Sequence, residues 1–323
     1  MKKTSLKDIA GRVGVSTALV SYVISGKARE ARVGKEMEKR ILQAAKALNY
    51  SPNLTARSLQ SGRTNTIGLV VADISNPFFS QLARIIEDEA AARGYVVVFG
   101  SCDENAAKSA KLLEVFTNRQ VDALIIAPAA GSEGQLKSLK KRGVPFVLID
   151  RSFAELNTDR VEINNEEAAK QGTEYLIEKG CKKIAIIAYD TPLEHMKARV
   201  KGYTKAIKKV NQAPIMRSIG FENIAKEMDG AIAKFQKEKV DGIFFATNTL
   251  ALEGLKKMSR LKKIPALVAF DQSDMFEVLD RPPVFIRQPL AEMGKKAVEL
   301  AIRRIEKPKK KTEQVVLKAT LIK

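Results

Sequence analysis

The sequence contains no tryptophan, a single histidine (His195) and only two cysteines (Cys102 and Cys181) among 323 residues. Two cysteines with neither metal-ligand spacing nor a framework pattern exclude a disulfide scaffold and fit free thiols in a reducing cytoplasm. One histidine cannot supply a trio of imidazole ligands, so no His-rich metal site is expected within one chain. Long apolar runs are also missing. The longest, such as 67–72 and 123–130, are less than half of the roughly 20 residues that a membrane-spanning helix needs. The opening Met1-Lys2-Lys3-Thr4-Ser5-Leu6-Lys7-Asp8 leads into no apolar segment of the secretory kind. Membrane insertion and secretion are disfavoured, and a cytoplasmic location is expected.

Negative charge is scarce as well: 37 Asp and Glu stand against 56 Lys and Arg, a net charge of +19. Such a balance points to a polyanionic partner. What is present in quantity is apolar mass, 45% of the residues, enough for a sizeable core and too much for wholesale disorder. The length suits about two domains. The basic excess is concentrated at the front, where residues 1–63 hold 13 Lys or Arg and 4 Asp or Glu, against 43 and 33 in the remainder. The later run Lys307-Pro308-Lys309-Lys310-Lys311 reads as a solvated connector before a last strand.

In the basic front segment, Ser5-Leu6-Lys7-Asp8 has capping-box form, so a helix should start at about Leu6. Leu6, Ile9, Ala10 and Val13 mark one helical face. Val13-Gly14-Val15 interrupts it, and Ser16 can cap a second helix running to about Ser25 with Gly26 ending it. Ala10 keeps the crossing small, Gly14 can take positive φ in the turn, and Val20 packs underneath. This is a helix-turn-helix, whose second helix enters the major groove and presents Thr17, Ala18 and Tyr22 to base edges. Ser5, Ser16 and Ser21 with the nearby Lys and Arg hold phosphates. A third helix fits 34–48, with Met37, Ile41, Ala44, Ala45 and Leu48 as its apolar stripe and Asn49-Tyr50-Ser51-Pro52 as its stop.

These residues resemble the LacI/GalR family of bacterial transcription regulators. Leu6-Lys7-Asp8-Ile9-Ala10, Gly14-Val15-Ser16, Val20-Ser21 and Asn49-Tyr50-x-Pro52-Asn53-x-x-Ala56-Arg57-x-Leu59 follow its pattern, and Thr66-Ile67-Gly68-Leu69-Val70-Val71-Ala72-Asp73-Ile74-Ser75-Asn76-Pro77-Phe78-Phe79 matches its usual entry to the core. Leu19 stands where Thr is usual and Tyr22 where Arg or His is frequent, so the mode of binding carries over but the operator half-site does not. The resemblance implies a hinge helix at about 53–60 that enters the minor groove, with Asn53, Ala56, Arg57, Leu59 and Gln60 on DNA and Leu59 as a wedge between bases. A wedge unstacks bases at a cost of a few kcal/mol and is offset by the wider contact of bent DNA.

Beyond residue 64 short apolar runs alternate with amphipathic helices. The runs are 67–72, 96–100, 124–127, 146–149, 184–188, 242–246 and 267–270. The helices are 79–93, 106–119, 166–179, 196–210, 224–237, 249–260 and 290–305. Strands buried on both faces with crossover helices mean parallel sheets. The resemblance implies two Rossmann-like lobes of the periplasmic-binding-protein type with three crossings of the chain between them. The expected architecture is thus a small all-α headpiece (1–52), a hinge and linker (53–63), and an α/β effector-binding and dimerisation core (64–323). Its lobes are about 64–163 with 290–315, and 164–289 with 316–323.

Ligands of open parallel sheets sit beyond the carboxyl ends of strands. There the resemblance implies an effector pocket of Asp73, Phe78, Phe79, Asp150, Arg151, Arg199, Phe221, Asn248 and Asp271. Aromatic faces stack on a sugar-like ring while paired Arg and Asp groups bond its polar rim. Thr249 and Gln272 take places where Asp is common, and Asn164-Asn165 stand where Asp-Asn is usual, so fewer carboxylates line the cleft, which fits either a ligand of different hydroxyl geometry or none at all. Gly202 and Tyr203 read as packing residues, and Arg287-Gln288-Pro289 as a return crossing.

The expected function is a DNA-binding regulator, usually a repressor, acting as a homodimer on a near-palindromic operator under a small-molecule effector. Sugars are the most frequent effectors of similar proteins, with purines, nucleosides and partner phosphoproteins also known. No cofactor is implied. A sugar-transport component would have no use for residues 1–60. An enzyme is disfavoured because no G-x-x-x-x-G-K-[ST], no G-x-G-x-x-G after a strand and no G-x-S-x-G is present. The lack of a heptad extension at the C-terminal end points to a dimer rather than a tetramer.

Overall fold

A computed structural model describes residues 4–50, 62–259, 261, 263–272, 276 and 282–323, and the chain divides into two compact units, Met1–Thr64 and Asn65–Lys323.

The first unit holds three helices, α1 (Leu6–Val13), α2 (Thr17–Ile24) and α3 (Lys35–Ala47). Asp8 reaches back to the Ser5 amide at 2.7 Å, and Ser5 Oγ donates to the same carboxylate oxygen at 2.8 Å. Gly14 ends α1 with φ of +78°, a left-handed turn that a side chain would resist. Two residues later Ser16 Oγ accepts from the Leu19 amide and starts α2. Ile9, Val20 and Ile41, one from each helix, are fully buried together. Burying each of them contributes on the order of 2 kcal/mol, which a unit this small needs.

The second unit contains two six-stranded sheets. In the first, β1 (Thr66–Val71), β2 (Val96–Ser101), β3 (Ala123–Ile126), β4 (Phe146–Ile149), β5 (Asp159–Ile163) and β11 (Gln314–Leu317) run parallel in the order β11-β5-β4-β3-β1-β2. In the second, β6 (Ile184–Tyr189), β7 (Ile215–Ile219), β8 (Gly242–Phe245), β9 (Ala266–Phe270) and β10 (Val284–Arg287) run parallel, and β12 (Thr320–Ile322) pairs antiparallel with β10 in the order β12-β10-β9-β8-β6-β7. Between them come α4 (Pro77–Ala91), α5 (Ala106–Asn118), α6 (Glu133–Lys141), α7 (Asn165–Glu178), α8 (Glu194–Lys209), α9 (Ile224–Lys237), α10 (Asn248–Met258) and α11 (Leu290–Glu306). The β3, β4, β6 and β8 strands are buried along their whole length, the signature of parallel sheets covered on both faces.

Several elements lie outside the expected runs and helices, β7, β10 and β12 among the strands, and two show why. The β5 strand, Asp159-Arg160-Val161-Glu162-Ile163, alternates charged and apolar residues instead of forming a run. Only Leu136 and Leu139 of α6 are buried, too few to mark a helix by period. The expected start of the second lobe's last segment at residue 316 is also corrected. Val316 and Leu317 pair with Glu162 and Ile163 in the first sheet, because β11 continues the β5 ladder to its end. Asp159 explains that attachment: fully buried, it accepts bonds from Arg303, from Arg304 and from the Glu313 amide, binding α11 and β11 to β5. Among the described residues no helix is long and apolar enough to cross a membrane.

Candidate functional site

Each sheet reverses its strand order at its first strand, between β1 and β3 and between β6 and β8. Open parallel sheets form a crevice at the carboxyl ends of such strands. The side chains that gather there carry most of the buried charge of the second unit.

The first lobe supplies Asp150 and Arg151, directly after β4. Asp150 has φ of +67°, and its amide bonds the Val161 carbonyl of β5, so the chain turns sharply as it leaves the sheet. Arg151 is held by Glu104 through two hydrogen bonds of 2.7 Å, a forked pair in which both terminal nitrogens are used. Its Nε lies 3.3 Å from Asp150, and its guanidinium stands 5.4 Å from the Phe79 ring centroid. Burial pushes the Asp150 carboxyl above its ordinary range, while Arg151 and Arg199 pull it down. The Arg151 guanidinium is itself raised, because Glu104 and Asp150 outweigh its burial.

From the second lobe comes Arg199, on α8. Its Nε donates to Asn165 Oδ1 at 2.8 Å and its Nη1 to the Ala246 carbonyl at 2.7 Å, and its flat face lies 3.7 Å from the centroid of the Phe270 ring. A desolvated cation stacked in this way gains about 2 kcal/mol. Helix α8 can approach α7 closely because residue 202 is glycine: a Cβ there would lie 2.0 Å from the Glu166 carbonyl oxygen. Neighbouring Tyr203 is fully buried, donating to the Ile184 carbonyl and accepting from the Ile215 amide. Asp271 follows β9 with φ of +66° and accepts from Gln288 Nε2 at 2.7 Å. Burial pushes its carboxyl up to about 6, against the opposing pull of Arg199 and of the Gln288 bond.

A third group links the lobes. Asn76 caps α4 by accepting from the Phe78 amide, and the same Oδ1 accepts from Asn248 Nδ2 at 3.0 Å. Phe221 stacks on Tyr189 with centroids 4.1 Å apart, and burial pushes the Tyr189 hydroxyl pKa up to about 12. Phe78 and Phe79 meet edge to face, both almost completely buried. Asp73 stands apart: its Oδ1 accepts from the Ser75 amide and hydroxyl, a local turn that leaves Asn76, not Asp73, as the residue reaching the other lobe.

The structure therefore draws Phe79, Asp150, Arg151, Arg199 and Asp271 into one network of contacts and mutual charge, with Asn248 and Phe221 in a neighbouring one. Sequence reasoning missed Glu104, Asn76 and His195, had Asn165 only as part of a departure from the family pattern, and left Gln288 as a crossing residue. Only Asn76, preceding Pro77 as a helix cap, carries a local signal. Among the described residues no cluster of three or more His, Cys, Asp or Glu could hold a metal ion.

In the first unit, Thr17, Ala18 and Tyr22 are exposed and Ser21 is half-buried, on successive turns of one face of α2. Ser5 and Ser16 are exposed at the helix starts, where free amides suit a phosphate. Asn53, Ala56, Arg57, Leu59 and Gln60 lie outside the described residues.

Three helices with an exposed second-helix face, followed by a two-lobed α/β unit with polar groups gathered at its strand ends, define a regulator built from a DNA reader and a ligand sensor. Residues 67–310 match the family described as "Periplasmic binding protein domain", and residues 5–53 match "Bacterial regulatory proteins, lacI family". The ribose operon repressor of Halalkalibacterium halodurans is 33% identical over 94% of this chain and 91% of its own length. A LacI family transcriptional regulator from Enterococcus faecium, solved with bound ribose, has a TM-score of 0.69 at 27% identity, over 80% of this chain and 97% of that one. The lac repressor dimer bound to operator and the anti-inducer ONPF superposes with a TM-score of 0.85 at 20% identity, over 100% of this chain and 98% of that one, a likeness of fold. The chain belongs to the lacI family of bacterial regulatory proteins. It is a sequence-specific DNA-binding transcription regulator and not an enzyme.

Proposed function

We propose that the chain is a homodimeric cytoplasmic repressor whose affinity for a near-palindromic operator is set by a small uncharged sugar held between the two lobes. Residues 1–52 read the operator, with Thr17, Ala18 and Tyr22 on base edges and Ser5, Ser16 and Ser21 on phosphates. Residues 53–63 form the hinge, where Asn53, Ala56, Arg57, Leu59 and Gln60 enter the minor groove, and residues 64–323 sense the ligand and dimerise.

The observation that carries the sensor reading is the facing of Asp150–Arg151 from one lobe with Arg199–Asp271 from the other, each guanidinium backed by an aromatic ring. With Glu104 on Arg151 the carboxylates outnumber the guanidiniums three to two, and together with flat aromatic faces they suit the hydroxyls and ring of a sugar. Two relatives support the class: one is named for a ribose operon and another was solved with ribose. Dimerisation is supported by the exposed Val96 and Phe99 on edge strand β2, at 65% and 60% exposure, an apolar edge suited to a second copy.

The test is selection of bound duplexes from a random pool by the full chain, repeated with D-ribose and other neutral sugars. One palindromic sequence should be enriched, and one sugar should change its retention by at least tenfold. No enrichment under any condition would remove the assignment.

A further inference from the structure

We propose that His195 is a specificity-determining contact for the effector, accepting a hydroxyl hydrogen at Nδ1 and thereby selecting an uncharged polyol over an anionic sugar. This rests on reading the cleft as the effector site.

His195 is the only histidine of the chain and is 5% exposed, yet its Nδ1 has no hydrogen-bond partner among the described residues. Buried polar side chains are almost always satisfied, and an orphan points to a missing partner. The residue stands in the first turn of α8, four positions before Arg199 and so on the same side of the helix. The charges of Arg199 and of Arg151 from the other lobe both act on the ring, and with burial they hold its pKa well below the usual imidazole value. The ring is therefore neutral, with a lone pair to offer. The positive charge of the two guanidiniums favours a lone pair over an N–H at Nδ1.

Most of the network's own donors are committed elsewhere, and the Nε of Arg151 lies 3.3 Å from Asp150. Both terminal nitrogens of Arg151 go to Glu104, and Nε and Nη1 of Arg199 go to Asn165 and Ala246. Gln288 repeats the pattern at the base of the second lobe: it donates to Asp271 while its Oε1 stays buried and unpaired. Among the described residues these two acceptors lack partners, while the orphan donor of the network, Arg151 Nε, has the Asp150 carboxylate 3.3 Å away, so the balance favours a ligand rich in donors. Glu104, Asp150 and Asp271 outnumber Arg151 and Arg199, so a phosphate or carboxylate on the ligand would meet net repulsion beside a lone pair.

The test uses the full chain, D-ribose, D-ribose 5-phosphate and the singly deoxygenated riboses, with affinities from titration calorimetry. Ribose should bind at least tenfold more tightly than its phosphate. His195→Ala should weaken ribose at least tenfold, His195→Asn should restore most of the loss, and wild type and His195→Ala should bind one deoxyribose equally well. Because the histidine is unique, its imidazole nitrogen resonances can be read in the wild-type chain without any variant. Nδ1 should appear unprotonated in the free protein and move on saturation with ribose. Ribose binding with unchanged affinity in His195→Ala, or with an unmoved imidazole, overturns this inference alone. Tighter binding of the phosphate also overturns it. Failure of the wild-type chain to bind any of these sugars overturns the effector class and this inference together.

Discussion

Asp150 and Asp271 occupy equivalent places in the two lobes. Each follows the fourth strand of its sheet in chain order and adopts a left-handed backbone, with φ of +67° and +66°. Each also gives its amide to the neighbouring strand, to Val161 and to Ile286. A non-glycine residue in this region costs on the order of 1 kcal/mol, and such strain gathers at functional sites. Both carboxylates are directed by the same turn, and Arg199 acts on both.

The raised Asp271 carboxyl makes a signed prediction. With its pKa at about 6 in the folded chain and below 4 when unfolded, folding takes up a proton between those values. Asp271 therefore favours the folded state below pH 4, and that contribution fades as pH rises through 6. Subtracting the melting temperature of Asp271→Asn from that of wild type should give a difference that falls from pH 4 to pH 7 and is flat above. A difference that rises over this range would show that Arg199 and Gln288, not burial, control the group.

Glu104→Gln tests the fork. It leaves Arg151 with Asp150 as its remaining carboxylate, and breaking a buried charge pair from one side costs about 3 kcal/mol. The urea midpoint should fall accordingly, and effector affinity should drop at least tenfold as Arg151 loses its fixed orientation.

Arg199 is a keystone as well as a candidate ligand contact. Arg199→Ala should abolish the effector response and also lower stability by about 3 kcal/mol, since it strips the buried Asp271 of a counter-charge and exposes the Phe270 face. Equilibrium unfolding alongside operator binding separates the two effects. Full stability in this variant would show that Asp271 is neutral or that water replaces the guanidinium.

Gly202→Ala should destabilise the chain by more than about 2 kcal/mol, because the new Cβ meets a backbone oxygen that cannot rotate away. Tyr22→Ala is its opposite: with 48% of the side chain exposed it should leave the melting temperature nearly unchanged. Its effect should appear in which bases the selected operators carry.

What the sequence made legible is what short segments decide. Gly14 must turn and Ser16 must cap within three residues, so the headpiece could be placed closely, and Asp150 and Asp271 were visible as acids at the ends of apolar runs. Glu104 was not, because its partner is 47 residues away, and Asn76 meets Asn248 across 172. His195 offers no pattern at all: its meaning lies in an unpaired nitrogen, which only packing reveals. The strand β5 was hidden by its charges, whose partners on α11 lie some 145 residues further along.

Only Lys318 and Ala319 separate β11 of one sheet from β12 of the other. Two extended residues span about 7 Å, so this crossing ties the two sheets together at that margin, like covers at a spine. The opposite margins are β2 and β7, five strands away, roughly 24 Å of lever arm. A swing of about 5° would carry those margins through about 2 Å, at the exposed Phe99 and Met216.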